Sequence, residues 1–200
     1  MNTPLVILFL KAPVPGTVKT RLAAEVGEEE AAEVYRRLVE NQLRNIPPDW
    51  RVRVAYDPPD ALEDFHAWLG TQLDYRPQAE GDLGARLDAT VNQAFCEGAE
   101  TVFCVGGDCP NLGPDRFIEA YSLLRDGNDI IFIPAEDGGY VLAGLQAPCP
   151  EIFDNIPWSA PDTLRVSITR AKAVGRRVAL MPSLFDIDTR ADLERADREK

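Results

Sequence analysis

Short apolar runs alternate with longer amphipathic segments along the whole chain. The apolar runs have the length of strands, and they predict strands at Leu5–Leu10, Val52–Tyr56, Val102–Val105, Asp129–Ile133, Tyr140–Leu145 and Arg177–Met181. The amphipathic segments predict helices at Val18–Glu25, Glu28–Asn45, Asp60–Leu69, Leu83–Glu97, Pro114–Arg125, Pro161–Val174 and Ala191–Arg198. This alternation is typical of an α/β fold, here a three-layer α/β/α sandwich with a mainly parallel, mixed central sheet. Because the sequence contains no linker, repeat or low-complexity tract, we expect residues 1–200 to form one domain.

The charge and the apolar runs exclude several classes of partner. A net charge of -12 argues against binding to a nucleic acid polymer, which needs a basic surface. The longest apolar run, Leu5–Leu10, is far too short to cross a membrane. It also lacks the charged lead-in and cleavage site of a secretory signal. We therefore expect a cytoplasmic protein without a membrane span.

The cysteines and the histidine suggest no metal or redox site of their own. None of the four cysteines forms a CxxC pair, so neither a zinc knuckle nor a thioredoxin motif is indicated. The chain has a single histidine, His66, which makes a histidine-based triad improbable. Cys109 lies within the most informative motif of the chain, and there we expect a structural role.

That motif is Gly106-Gly107-Asp108-Cys109-Pro110, which follows the predicted strand Val102–Val105. Ligands of open α/β sheets bind beyond the carboxyl ends of the strands, where Asp108 would lie. The two glycines permit close approach of backbone or ligand. A carboxylate at this position suits a divalent metal that bridges a diphosphate. The simpler interpretation is a turn aspartate that precedes a proline.

A basic turn, residues 11–22, lies between the first predicted strand and the first helix. Gly16, Lys19 and Arg21 place positive charge near a helix N-terminus, which is a favourable position for a phosphate. The spacing matches neither the P-loop nor the dinucleotide-binding fingerprint. By itself this segment favours an ordinary basic first turn on a solvated helix.

A third candidate segment, residues 78–87, joins a loop to a helix. Gly81 and Gly84 bracket the junction, and Asp82 is the predicted N-cap. In the functional interpretation, Gln78, Gly81 and Arg86 form part of a nucleotide pocket. The alternative interpretation is a capped helix without a ligand.

Two further acidic segments complete the set of candidates. Asp137 begins an Asp-Gly-Gly turn, which follows a strong strand and also resembles a hairpin turn. Asp186 and Asp188 precede the last helix and lie on the same side of an extended segment. Ser159 and Thr189 are each followed three residues later by Asp, the spacing of a capping box.

The order of these motifs resembles the nucleotide-diphospho-sugar transferase superfamily, which has the GT-A fold. It more closely resembles the bacterial "transferase 1, rSAM/selenodomain-associated" family, often labelled glycosyltransferase. It is also similar to phospholactate guanylyltransferases and, more distantly, to molybdenum-cofactor guanylyltransferases. The motifs are Lys11-x-Pro-x-x-Gly-x-Val-Lys-Thr-Arg-Leu22, Gly81-Asp-Leu-Gly-x-Arg-Leu87, Gly106-x-Asp-Cys-Pro110, Asp137-Gly-Gly-Tyr140 and Asp186-Ile-Asp-Thr189, and they span almost the whole chain.

The resemblance implies a role for each group of residues. Asp108 and Asp188 would hold Mg²⁺ or Mn²⁺, and Lys19 and Arg21 would stabilise phosphate charge in catalysis. Asp137 would act as general base. The nucleotide-binding residues would be Lys11, Gly16, Lys19, Arg21, Gln78, Gly81, Gly84, Arg86, Gly106 and Gly107. The acceptor would face Asp137, Gly138, Gly139, Tyr140 and Trp158.

We therefore expect a metal-dependent transferase that uses a nucleotide-activated donor and a small-molecule acceptor. The leading hypothesis is glycosyl transfer from a nucleotide sugar. The alternative is guanylyl- or cytidylyl-type transfer from a nucleoside triphosphate with release of pyrophosphate. A third hypothesis, of another class, is a non-catalytic nucleotide-binding domain on the same fold. One position departs from the family pattern, because Gly107 stands where a threonine is expected.

Overall fold

The computed structural model describes residues 3–199, which contain seven strands and seven helices. The strands are β1 Leu5–Lys11, β2 Arg51–Asp57, β3 Asp74–Pro77, β4 Val102–Val105, β5 Ile130–Pro134, β6 Tyr140–Leu145 and β7 Val178–Leu180. The helices are α1 Thr20–Val26, α2 Glu28–Asn45, α3 Leu62–Leu69, α4 Leu83–Cys96, α5 Pro114–Arg125, α6 Thr163–Ala173 and α7 Arg190–Arg198. The predicted α/β architecture is confirmed.

All seven strands form one mixed sheet in the order β3-β2-β1-β4-β6-β5-β7. Four of the neighbouring pairs are parallel, and β6 runs antiparallel to both β4 and β5. β4 occupies the centre of this order, so the segment after Val105 leaves the sheet at its middle. Asp108 therefore lies in the loop that leaves the sheet at the centre of its carboxyl edge.

Alternating side chains of the strands face two separate apolar layers. On β1, Val6 and Leu8 contribute to one core, and Leu5 and Ile7 contribute to the other. Both faces of the strand are buried from Leu5 to Leu8 and at Leu10, which is why the sequence shows an unbroken apolar run rather than an alternating pattern. Helices cover both faces, as expected for a sheet of mainly parallel strands.

Two local predictions differ from the structure. The edge strand Asp74–Pro77 was not predicted, because this four-residue polar segment contains no apolar run. The capping box expected at Ser159 is not formed, since α6 begins at Thr163 and its N-cap is Asp162. Ser159 has instead a positive φ of 58°, and the Thr163 hydroxyl donates to the backbone carbonyl of Pro157.

The other two caps form as predicted. The Asp82 side chain accepts a hydrogen bond from the backbone N–H of Ala85 and starts α4. Thr189 and Asp192 make a reciprocal capping box at the start of α7. Within residues 3–199, no helix combines the length and the apolar character needed to cross a membrane.

Candidate active site

Three charged side chains from distant parts of the sequence meet at the carboxyl edge of the sheet. The Lys19 Nζ atom donates to Asp108 Oδ2 at 2.9 Å and to Asp188 Oδ1 at 2.9 Å. The Lys19 side chain is only 5% exposed, whereas those of Asp108 and Asp188 are 38% and 39% exposed. The two carboxylates predicted to bind a metal therefore converge on one buried ammonium group.

The backbone of each element directs these side chains inward. Lys19 is the N-cap of α1 and adopts a left-handed conformation, with φ 47° and ψ 46°. Because few non-glycine residues adopt this conformation, its strain is characteristic of a functional position. The segment that carries Asp188 is fixed to the β4 loop, since the Ile187 N–H donates to the Asp108 carbonyl at 3.1 Å. The capping box of α7 fixes its other end.

Electrostatics keep Lys19 charged. Burial favours the neutral amine, but the carboxylates of Asp108 and Asp188 outweigh it and raise the pKa of Lys19 above its ordinary value. Arg21 adds a second, exposed cation whose Nη1 lies 3.3 Å from Asp188 Oδ2. Lys19 and Arg21 thus join the two carboxylates into one network of ion pairs.

This network lines a cavity of about 570 Å³, which we call the basic pocket. Its charged side chains are those of Lys11, Lys19, Arg21, Asp108 and Asp188. Five residues predicted to bind phosphate or metal are therefore brought together at one site. Gly106 and Gly107 also line this pocket, as expected.

A second cavity of about 290 Å³, the aromatic pocket, adjoins the basic pocket. Phe9, Tyr140 and Trp158 contribute aromatic side chains to it, and Asp137 and Asp186 contribute carboxylates. The two pockets share four lining residues: Phe9, Leu83, Gly106 and Ser159.

Asp186 is a site residue that sequence reasoning treated only as a neighbour of Asp188. Its Oδ1 atom is buried and has no hydrogen-bond partner among the described residues. Burial, with a further contribution from the negative charge of Asp108, raises the pKa of Asp186 to about 8. The alternation of Asp186 and Asp188 gave the only sequence signal, yet the two side chains line different pockets.

The Asp-Gly-Gly turn is a hairpin that also borders the site. β5 and β6 pair directly, and Asp137 Oδ1 accepts a hydrogen bond from the Gly139 N–H at 2.9 Å. Asp137, Gly139 and Tyr140 line the aromatic pocket. Gly138 does not, because its backbone, with φ 96°, packs against Pro161. Trp158 makes an edge-to-face contact with Tyr140 at 6.2 Å.

Several residues predicted to bind the nucleotide stabilise the scaffold instead of lining either pocket. Gln78 Nε2 donates to the backbone carbonyls of Ala55 and Leu10, at 2.9 and 3.3 Å. Arg86 donates to the Gly81 carbonyl and to the Asp57 carboxylate. Gln78 and Arg86 thus hold the ends of β1, β2 and α4 together beside the site.

Gly16 and Gly84 also lie outside the linings of both pockets. Gly16 has a φ of 81°, which favours glycine in the basic turn. A Cβ atom on Gly84 would lie 2.2 Å from the Phe153 carbonyl oxygen, so this glycine permits close packing of α4. Backbone conformation and packing therefore account for glycine at both positions without a bound nucleotide.

The departure at Gly107 has a packing cause. A Cβ atom at this position would lie 2.6 Å from Val39 Cγ2 and 2.8 Å from Leu10 Cδ2. The side chains of α2 and β1 thus occupy the space that a threonine would need. The neighbouring Cys109 is buried, and burial raises the pKa of its thiol to about 12, as fits a structural role.

A family model described as "Uncharacterized protein conserved in bacteria (DUF2064)" matches residues 43–160. The curated proteins include no match to this sequence.

Solved structures give further similarities. A protein from Desulfovibrio desulfuricans G20, provisionally assigned as a nucleotide-diphospho-sugar transferase, is 34% identical with a TM-score of 0.89, over 94% of this chain and 84% of that one. This match confirms the resemblance to that superfamily. 4-Diphosphocytidyl-2C-methyl-D-erythritol synthase from Anaerococcus prevotii DSM 20548 is 13% identical with a TM-score of 0.62, over 99% and 96% of the two chains. The manganese complex of Rv0371C from Mycobacterium tuberculosis H37Rv is 12% identical with a TM-score of 0.58, over 100% of both. The last two likenesses show the shared fold.

Proposed function

The chain belongs to the bacterial family described as "Uncharacterized protein conserved in bacteria (DUF2064)", and from this premise we propose that it is a transferase that uses a nucleotide-activated donor. We include in the proposal a divalent cofactor, Mg²⁺ or Mn²⁺, and a single catalytic domain over residues 1–200. The provisional assignment of the D. desulfuricans relative supports this class of activity.

One observation carries the proposal: Asp108 and Asp188 hold a cation between them at the carboxyl edge of the sheet. In this structure the cation is the ammonium group of Lys19. Open α/β sheets bind ligands at this edge. Lys11 and Arg21 flank the same pocket and supply positive charge for the phosphates of a donor.

The donor set is suited to a hard divalent cation. Both carboxylates are partly exposed and point to one position of positive charge. Among residues 3–199, no group of three or more His, Cys, Asp or Glu side chains is arranged to hold a metal ion. This agrees with Mg²⁺, which usually takes one or two carboxylates and completes its coordination with substrate phosphates and water.

The residues of the site divide the chemistry between them. Asp108 and Asp188 would hold the metal ion, which would neutralise charge on the diphosphate leaving group. Lys11, Lys19 and Arg21 bind and orient the phosphates by charge-assisted hydrogen bonds. Asp137, at the border of the aromatic pocket, accepts the proton of the acceptor as general base.

Two reactions share this arrangement. We favour glycosyl transfer, in which the acceptor attacks the sugar carbon and a nucleoside diphosphate leaves, because the 34% identical relative carries a nucleotide-diphospho-sugar transferase assignment. The three cations of the basic pocket favour a second candidate, nucleotidyl transfer from a nucleoside triphosphate with release of pyrophosphate.

Product analysis separates the two reactions. The full chain is incubated with Mn²⁺ and either nucleotide sugars or nucleoside triphosphates, and the phosphorus products are identified by ³¹P NMR. Release of nucleoside diphosphate from a nucleotide sugar, without turnover of triphosphates, supports glycosyl transfer. Pyrophosphate release supports nucleotidyl transfer.

Calorimetry tests the metal assignment separately from turnover. Asp108→Ala and Asp188→Ala are expected to abolish Mn²⁺-dependent nucleotide binding, whereas Asp126→Ala, an exposed carboxylate after α5, is the matched control. If binding survives in both variants, the metal site is wrong. If nucleotides bind and no donor turns over, the non-catalytic hypothesis is favoured.

A further inference from the structure

The two adjoining pockets differ in the sign of their charged side chains. The basic pocket contains three cationic side chains and two carboxylates. Within the described part of the chain, the lining of the aromatic pocket includes Asp137 and Asp186 and no Lys, Arg or His. A phosphate or carboxylate group in this pocket would thus face the acidic groups of Asp137 and Asp186, with no cationic side chain in the lining to bind it.

The walls of the aromatic pocket favour a molecule with an apolar face. Phe9, Tyr140 and Trp158 contribute rings, and Leu87 and Val141 contribute aliphatic surface. A cavity of about 290 Å³ has room for a single ring with a short substituent. Ligand pockets of this kind are mainly apolar, with a few polar groups that fix orientation.

Two buried polar atoms of the pocket-lining residues have no hydrogen-bond partner among the described residues, the Tyr140 hydroxyl and Asp186 Oδ1. Asp186 Oδ1 is buried and accepts no hydrogen bond from the described residues. Because a buried oxygen without a donor is costly, a hydroxyl or ammonium group of a ligand would stabilise it. The pocket therefore offers an acceptor for a hydrogen-bond donor, next to aromatic surface.

The position of the pocket indicates which substrate occupies it. It shares Phe9, Leu83, Gly106 and Ser159 with the basic pocket, so a molecule bound there lies beside the phosphates of the donor. Asp137, the proposed general base, also lies on this side.

We propose that the aromatic pocket is the acceptor subsite, and that the acceptor is an uncharged or cationic molecule with an apolar face and a hydroxyl or amine group. This inference rests on the proposed function, and it adds that the acceptor carries no phosphate or carboxylate at the end that enters the pocket. The Asp137 carboxylate and the unpartnered Asp186 oxygen select the donor group, and the aromatic walls select the apolar face.

Four small probes of similar size test the charge selection. The full chain is titrated with 2-phenylethanol, 2-phenylethylamine, 3-phenylpropanoate and phenyl phosphate, and binding is measured by ligand-observed NMR. We expect the alcohol and the amine to bind at least about tenfold more tightly than the two anions. A preference for the amine assigns an amine acceptor, and equal binding assigns a hydroxyl acceptor. Equal or tighter binding of the anions overturns the inference.

Two variants place the binding in this pocket. Trp158→Ala is expected to weaken binding of the alcohol and of the amine about tenfold. Leu83→Lys adds a cation at an exposed position shared by both pockets, and it is expected to remove most of the discrimination against the anions. Ile118→Lys, an exposed apolar position on α5, is the matched control and is expected to change nothing. If Leu83→Lys and Ile118→Lys behave alike, the charge of the pocket does not set the selectivity.

Competition distinguishes the acceptor from parts of the donor. With Mn²⁺ present, neither a nucleoside diphosphate nor a nucleotide sugar should displace the bound alcohol. Displacement by the nucleoside diphosphate assigns the pocket to the base, displacement only by the nucleotide sugar assigns it to the donor sugar, and either result overturns the inference. If nucleotides bind with Mn²⁺ and no probe binds, only the acceptor subsite is wrong. If no nucleotide binds, the proposed function itself fails.

Discussion

The basic pocket and the aromatic pocket lie side by side at one edge of the sheet, yet they handle charge in opposite ways. In the basic pocket, Lys19 is held between Asp108 and Asp188, and every buried charge has a partner. In the aromatic pocket, Asp186 has a buried oxygen with no partner, and the surrounding surface is largely apolar. The first is suited to a diphosphate with a cation, and the second to a molecule without negative charge.

In the proposed reaction, the two pockets would therefore take substrates of different charge. Paired charges are already neutralised, so an anionic ligand there needs an added cation. Apolar surroundings raise the pKa of an unpaired carboxyl group, and such a group binds hydrogen-bond donors better than anions. A substitution in one pocket should therefore leave ligand binding in the other pocket unchanged.

Asp108→Asn is expected to have the largest effect. Loss of one of the two carboxylates should weaken Mn²⁺-dependent nucleotide binding by about 100-fold, since each ligand contributes strongly to a two-carboxylate site. Isothermal titration calorimetry with a nucleoside diphosphate and Mn²⁺ measures this change. Binding of the alcohol probe in the aromatic pocket should not change, and Asp126→Asn serves as control. A parallel loss in both pockets would contradict the division.

Gly107→Ala tests the packing below the basic pocket. The added methyl group would clash with Val39 and Leu10, so the free energy of unfolding should fall by about 1–3 kcal/mol. Denaturant unfolding gives the value. Gly113→Ala is the matched control, because its added Cβ meets no atom within 4 Å. Equal stability of the two variants would contradict the clash of an added Cβ atom with Val39 and Leu10.

Lys19→Met removes the ammonium group that the two carboxylates share. Mn²⁺ alone should then bind about tenfold more tightly, because no internal cation competes for Asp108 and Asp188. Electron paramagnetic resonance of free Mn²⁺ measures the affinity without a nucleotide. Arg21→Met, which removes an exposed cation at 3.3 Å from Asp188, should have a smaller effect. Unchanged Mn²⁺ affinity in Lys19→Met would place the metal elsewhere.

Asp186→Asn tests the unpaired carboxyl through pH. Its pKa is raised from 3.8 to about 8 in the folded protein, so the folded state binds more protons than the unfolded state between these values. The contribution of this group to stability is therefore fully present below pH 3.8 and is lost as pH rises through about 8. Asparagine cannot ionise, so the variant should gain about 1 kcal/mol relative to the native protein at pH 9 and less at pH 5.

Thermal unfolding at several pH values measures the effect of Asp186→Asn. Asp126→Asn, which changes an exposed carboxylate after α5, is the control measured at the same pH values. A gain that is equal at pH 5 and pH 9 would contradict the raised pKa of Asp186.

Several parts of the site were predictable because each depends on local rules. The β4 strand predicted from Val102–Val105 places Asp108 at the sheet edge, and the boundaries of α2 and α5 were predicted to the residue. The Thr189 capping box fixed the position of Asp188. The sequence predicted Gln78 and Arg86 as nucleotide-binding residues, and both lie beside the site. Their hydrogen bonds to the backbone and to Asp57 depend on contacts across the sheet that no local pattern contains.

The amino-acid sequence by itself determined the α/β alternation, the carboxyl-edge loops and the residue types that reach them, because periodicity and capping act over a few neighbouring residues. The tertiary structure decided what each charge faces. It placed Lys19 between two carboxylates that are 89 and 169 residues away in sequence. It also left Asp186 without a partner in an apolar cavity, two residues from a fully paired Asp188. Such pairings depend on distances and burial across the folded chain, and these exist only after the layers have packed.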